Sequence, residues 1–208
     1  MKIAVISANG RTGRNFVTEA LRAGHMVKAG VHNQIEILEH INLQIVKCDA
    51  LRSSDVNNLI KDCDTVVSLI GHGRRSPKKL QSQAIANVIN AMKNQNIARL
   101  ISLTGTAVRV DGDKITLIDR ILNFSISIID HNRIKDGKKH AQLIMDSGLN
   151  WTIVRVLKLT NTSHIGKYKL TKNGPTKTFT SRKLVARAIL ELIEKNEFIN
   201  HLPMISRK

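Results

Sequence analysis

Aromatic side chains are scarce in this chain. One Trp, one Tyr and four Phe make up 3% of its 208 residues. A platform for single-stranded nucleic acid needs successive rings on which bases stack, so nucleic acid is not the expected partner, although charge alone does not exclude it. Cysteine is nearly missing as well: Cys48 and Cys63 are too few for a disulfide framework or a four-cysteine zinc site. The eight histidines are scattered without the i, i+4 pairing and accompanying carboxylates of a metal site, so no metal is expected. No apolar run approaches the roughly 20 residues that cross a bilayer. The opening MKIAVIS is strand-like and lacks the layout of a secretory signal. These shortages point to a protein of the reducing cytoplasm with no membrane partner; the sequence leaves monomer and homodimer both open.

Acidic residues are the last shortage. Sixteen Asp and Glu stand against 33 Lys and Arg, giving a formal net charge of +17. Such a surface favours anionic partners, from nucleotides to phosphorylated substrates. Lys158 to Arg187 carries eight cations and no carboxylate, and GHGRRSPKK forms a second cluster at Gly71–Lys79. Each also reads as an ordinary solvated face.

What is present is a regular alternation. Lys2–Ser7, Met26–Val31, Leu43–Lys47, Thr65–Ile70 and Arg99–Leu103 read as strands; Arg14–Ala23, Ser54–Ile60 (opened by a Ser cap) and Leu80–Asn96 read as helices. Alternating strands and helices predict an α/β fold, a doubly wound parallel sheet with helices on both faces. No repeat, low-complexity segment or linker divides the chain, so one domain over 1–208 is expected: a dinucleotide-binding core over 1–104, with substrate-side and closing elements over 105–208. The second half is less regular. Ile115–Ile129 is apolar and of open type, Lys138–Asp146 reads as helix and Trp151–Val156 as a sixth strand. Lys167–Phe179 reads as a basic hairpin or an extended excursion, Leu184–Ile193 as a helix capped by Thr180 or Ser181, and His201–Ile205 as one more strand.

The first strand runs into VISANGRTGRN. A strand, a glycine-bearing turn and a helix hold a pyrophosphate, because backbone N–H groups at the helix start are unsatisfied and glycine lets the phosphate approach. Gly10 and Gly13 sit three apart as in G-x-x-G-x-x-G, with Ser7 at the first position. Ser7, Asn9, Gly10, Arg11, Thr12 and Gly13 are the candidate cradle. At the end of the second strand, where an acid binds the ribose 2′-hydroxyl in NAD-binding proteins, the chain has His32 and Asn33. No carboxylate there repels a 2′-phosphate, and Arg11 and His32 are placed to meet one, which favours NADP(H) over NAD(H).

These residues resemble the atypical short-chain dehydrogenase/reductases of the NAD(P)H-binding, NmrA-like group, within it the small proteins related to biliverdin reductase B and flavin reductase. ISANGRTGR resembles the group's G-A-T-G-x-T-G turn, and Cys48-Asp49-Ala50-Leu51 its G-D segment, whose Asp and neighbour border the adenine. Leu69-Ile70-Gly71 resembles the strand end that passes under the cofactor ribose. Ser147–Arg155 (SGLNWTIVR) is similar to S-G-L-D-W-T-I-V-R, and Thr180–Ala186 to I-S-R-x-D-V-A. The resemblance implies a Rossmann-type fold and adds Asp49, Ala50, Leu51, Ile70 and Gly71 to the cofactor residues. It also implies a Ser or Thr after strand five that contacts the substrate, here Thr104 first and Ser102 second. The Tyr–Lys pair of the wider superfamily is missing from the helix before strand six, which carries Lys138, Lys139 and His140. Lys138 and the loop residue His131 complete the catalytic candidates. Tyr168 and Lys172 have the right spacing in the wrong place, and Trp151 and Arg155 are expected to be structural.

A flavin or quinone accepts hydride without a dedicated Tyr acid. The first reading is therefore an NADPH-dependent reductase of a flavin, quinone or other conjugated, anionic acceptor. The second is an NADP(H)-binding redox sensor of the NmrA-like type, without turnover. A sugar-nucleotide epimerase or dehydratase is third, because it needs the missing pair.

Overall fold

A computed structural model describes residues 1–32, 40–73, 76–162, 166–176 and 178–207. The candidate Asn33 and the cluster residues Arg74 and Arg75 lie outside them. Strands β1 (Lys2–Ile6), β2 (Met26–Val31), β3 (Leu43–Lys47), β4 (Thr65–Ser68), β5 (Arg99–Gly105) and β6 (Asn150–Val156) pair in parallel in the order 3-2-1-4-5-6. Period-2 alternation in these strands feeds two cores. Ala4, Ile6, Val66, Leu100 and Ile153 face one side; Ile3, Val5, Val67, Ile101 and Val154 face the other.

The helices complete both layers. α2 (Ser53–Ile60), α3 (Leu80–Asn94) and α5 (His131–Met145) cover the first face; α1 (Arg11–Arg22) and α6 (Arg182–Glu194) cover the second. Helix α1 buries Phe16, Val17 and Ala20 at helical spacing. The strand order reverses between β1 and β4, which opens a crevice at the carboxyl ends of those strands. This is the doubly wound parallel sheet that the alternation predicts.

The second half departs from expectation in several places. Ile115–Ile129 contains α4 (Leu117–Ile129), capped by Thr116, whose hydroxyl accepts from Asp119 N at 3.2 Å. Helix α5 starts seven residues before Lys138, because the Asp130 carboxylate accepts from Arg133 N and caps it. The first half of that helix is polar, so the apolar period hides its start. Lys167–Phe179 is not a hairpin. Its strand β8 (Tyr168–Thr171) pairs antiparallel with β10 (Met204–Arg207), which extends the sheet from β6. Beyond it, β9 (Thr180–Ser181) pairs with β7 (Leu159–Thr160). His201 makes only an isolated bridge to Thr152, and the last strand starts at Met204. Ser181 caps α6 by accepting from Leu184 N, whereas α2 has Arg52 at its N-cap and no side-chain cap in place of the expected Ser.

Arg155 ties this half together. Its guanidinium is fully buried on β6 and forks onto Asp113, with the Nη2 bond at 2.9 Å. It also donates to the carbonyls of Val108, Leu202 and Lys172. The pairing carboxylate belongs to the loop after β5, so one side chain fixes that loop, the start of β10 and the end of β8. Asp113→Ala leaves a buried charge without its partner and is expected to cost about 3–5 kcal/mol of folding stability, read from urea denaturation.

Candidate cofactor and substrate site

The crevice is built around the turn between β1 and α1. Ser7 leaves the strand at φ 62°, the left-handed region that glycine adopts freely. Gly10 is the N-cap of α1 and offers no side-chain cap, and no acidic residue stands in the first turn. A β-carbon on Gly13 would lie 2.3 Å from Ser7 O and 2.5 Å from Ala8 O, so only glycine lets α1 settle on the end of β1. Asn9 and Arg14 brace the loop, Arg14 donating to the Asn9 carbonyl at 3.1 Å and to its Oδ1 at 3.0 Å. Thr12 is buried and Arg11 exposed. An uncapped helix start with positive dipole and free N–H groups fits a pyrophosphate.

The structure adds a cation that the sequence reading did not assign. Arg182 opens α6, which packs beside α1, and its guanidinium is held by the Asn161 side chain. Burial, then the charge of Arg11, pushes its pKa below the usual arginine value. Two arginines thus converge at the openings of two neighbouring helices, and neither makes an ion pair among the described residues. Its I-S-R-like surroundings were visible in the sequence, but only the packing of α6 on α1 brings it to the loop.

On the adenine side, Cys48 N continues the backbone pairing to Val31 O at 2.8 Å. Asp49 accepts from Leu51 N through Oδ1, and the Ala50 carbonyl accepts from Asn87. Asp49 Oδ2 also lies 3.8 Å from His32 Nε2 and 3.9 Å from Arg52 Nε. A carboxylate therefore stands beside His32 in space, although neither position 32 nor 33 carries one, and His32 and Arg52 flank it. Burial, with Asp55 and Asp49 nearby, pushes the Cys48 thiol up to about 12, so it is no nucleophile at neutral pH.

Beyond β4, the chain passes buried Ile70 and exposed Gly71. Gln81 pins this segment by donating to Ile70 O at 2.8 Å. The anchor of the region is Asp136 on α5, which is 4% exposed. It accepts from Gln81 N at 2.7 Å, from Ser82 N at 3.1 Å and from Ser82 Oγ at 2.5 Å, and so caps α3 from another helix. It also accepts from His72 Nε2 at 2.9 Å. One carboxylate thereby joins α5, α3 and the loop after β4. Sequence reasoning passed over Asp136 and His72 because they are 64 positions apart.

Ser102 and Thr104 project from β5 toward α5. Thr104 stands opposite Gly137, where a β-carbon would be 3.6 Å from its hydroxyl. That hydroxyl makes no hydrogen bond among the described residues. Ser102 is buried and engaged, donating to Ser68 O at 3.3 Å and meeting His140 Nε2 at 3.0 Å. The inward positions of α5 are Asp136, Gly137, His140, Ala141 and Ile144, while His131 and Lys138 are exposed. Tyr168 sits at the opposite edge of the sheet, on a strand rather than a helix. It is hydrogen-bonded to Glu191, and burial pushes its hydroxyl well above the usual tyrosine value. A cavity of about 700 Å³ opens beside it, lined by Lys169, Arg187 and Phe198 among others, away from the crevice.

This geometry defines a Rossmann-type dinucleotide-binding domain. Residues 7–196 match the NAD(P)H-binding family, and the chain belongs to it. It is 26% identical to an uncharacterised chloroplast protein of Arabidopsis thaliana, over 94% of this chain and 73% of the other. It is 25% identical to the uncharacterised protein YwnB of Bacillus subtilis, over 96% and 95% of the two chains. Protein TIC 62 of pea chloroplasts is 22% identical over 74% of this chain, which spans 32% of that longer protein. A short-chain dehydrogenase/reductase of Veillonella parvula in complex with NADP shares the fold, with TM-score 0.84 and 15% identity over 99% and 94% of the chains. So does a candidate NADH-flavin reductase of Streptococcus pneumoniae, with TM-score 0.80 and 22% identity over the full length of both.

His140 carries a pH-dependent contribution to stability. Burial lowers its pKa to about 4, partly opposed by the charge of Asp136. The folded state holds a neutral ring, while the unfolded chain takes up a proton below its ordinary value near 6.5. Its contribution is thus complete above that value and is lost as pH falls toward 4, by about 3 kcal/mol. His140→Gln, whose amide can still donate to Ser102, is expected to flatten this part of the stability curve relative to wild type, in denaturant titrations between those pH values.

Proposed function

We propose that this chain is an NADPH-dependent reductase of a flavin, quinone or similar conjugated acceptor. The observation that carries the reading is the uncapped start of α1, pressed onto β1 through Gly13, with Arg11 and Arg182 beside it. Ser7, Asn9, Gly10, Thr12 and Gly13 would hold the pyrophosphate. Asp49, Ala50 and Leu51 would border the adenine, and Ile70 and Gly71 the ribose. Bound there, the nicotinamide supplies the hydride.

The chain's own residues then bind and orient the acceptor. The unengaged Thr104 hydroxyl is the group available to hold an acceptor carbonyl, with Ser102 and His140 fixed behind it. His72, steadied by Asp136, is the acid–base group of the loop after β4. The exposed His131 and Lys138 serve as rim residues, Lys138 supplying positive charge that attracts an anionic acceptor. The phosphate preference rests on Arg11 in the loop and on His32 and Arg52, which flank the Asp49 carboxylate at the ribose side. The missing Tyr–Lys pair weighs against alcohol oxidation and sugar-nucleotide chemistry.

Three results are expected together. NADPH raises the melting temperature more than NADH does. NADPH is oxidised with FMN or a quinone at rates far above those of Gly13→Asp. Thr104→Val lowers kcat for a carbonyl-bearing acceptor by about tenfold, the loss expected for one transition-state hydrogen bond. Binding without turnover across an acceptor panel would favour the redox-sensor reading, and absence of binding by either nucleotide would overturn both.

A further inference from the structure

Helix α4 is mounted inside out. Its one buried residue is Asp119, whose carboxylate accepts from Thr106 Oγ1 at 2.5 Å and Asn123 Nδ2 at 2.7 Å and pairs with Arg109 at 2.5 Å. The polar side thus fastens the helix to the body. The apolar side faces outward: Leu117, Ile118, Ile121, Phe124, Ile128 and Ile129 are 51–84% exposed. At 100° per residue, these six fall within one arc of about 140°, in which Ser125 is the one polar residue. Their combined apolar surface reaches several hundred Å², the scale at which an exposed patch marks an interaction site. Among the described residues, nothing covers it.

Charge decides between occupants. Residues 114–139 carry Lys114, Arg120, Arg133, Lys135, Lys138 and Lys139, all exposed. Of the carboxylates in that span, Asp119 and Asp136 are buried and hydrogen-bonded, which leaves Asp130 at the surface. A second copy would set this basic rim against its own like, within chains of net charge +17. An anionic lipid surface satisfies both features at once. Apolar side chains enter the acyl boundary, and lysines and arginines meet acidic headgroups. With 13 residues at about 1.5 Å rise, the helix is too short to cross a bilayer and fits in the plane of its surface.

We propose that α4 is a docking helix through which this protein binds reversibly to anionic phospholipid bilayers. The test is sedimentation of the purified full chain with phosphatidylcholine vesicles, with and without phosphatidylglycerol, at low and high salt. Binding is expected only where phosphatidylglycerol is present, weakening at high salt. Phe124→Ser with Ile128→Ser removes exposed side chains alone; it is expected to lower vesicle affinity by roughly tenfold or more, with thermal melting and NADPH affinity unchanged. Arg120→Glu with Lys135→Glu is expected to act in the same direction through charge. The proposal is overturned if wild type ignores anionic vesicles, or if the double serine variant binds them as wild type does. It is equally overturned if the serine variant instead dissociates a dimer seen by analytical ultracentrifugation in a wild-type protein that shows no vesicle binding. A failed reductase assay would leave this result standing, because the lipid readout uses neither cofactor nor acceptor.

Discussion

The contact on which the rest depends is the seating of α1 on the end of β1. At Gly13 the two backbones approach so closely that a single methyl group would be 2.3 Å from the Ser7 carbonyl. This closeness sets the direction of α1, and hence where its unsatisfied N–H groups and positive dipole point. Those groups open onto the crevice where the strand order reverses. The neighbouring packing of α6 on the same face then delivers Arg182 to the loop that already holds Arg11. Ser7 belongs to the same constraint: the turn demands a left-handed residue there, and a serine at φ 62° accepts a conformation that glycine would adopt without strain.

The other half of the site depends on a second, polar fastening. Asp136 caps α3, holds His72 and lies one residue from Gly137, which faces Thr104. Arg155 does the same for the outer wall through Asp113. Both are buried charges made tolerable by complete hydrogen bonding. Helix α5 carries no Tyr–Lys pair, and among the described residues the Thr104 hydroxyl facing it is unengaged. In the proposed reading such an arrangement suits an acceptor that takes hydride directly, with the cofactor supplying the chemistry and the protein orienting it.

Much of this was legible in the sequence because it is local. The β1 turn, the alternation of the first hundred residues and the structural role of Arg155 follow from short motifs and periodicity. Other features were not. Helix α5 begins in a polar stretch whose cap, Asp130, resembles any loop aspartate. Strand β8 finds its partner in β10, more than thirty residues away, so a hairpin was the nearer assumption. His72 and Asp136 meet only across the fold, as do His32 and Asp49, and that second meeting places a carboxylate where the sequence promised none. The outward face of α4 was legible as apolar but not as exposed, because burial is decided by the polar anchor at Asp119.

In the proposed function a dinucleotide pyrophosphate would rest on the backbone at the start of α1. Amide chemical shifts in a ¹⁵N-labelled protein titrated with NADPH test it most directly. The largest changes are expected on the amides of Asn9, Gly10, Arg11, Thr12 and Gly13. Saturation that leaves those amides unmoved while others shift would contradict it.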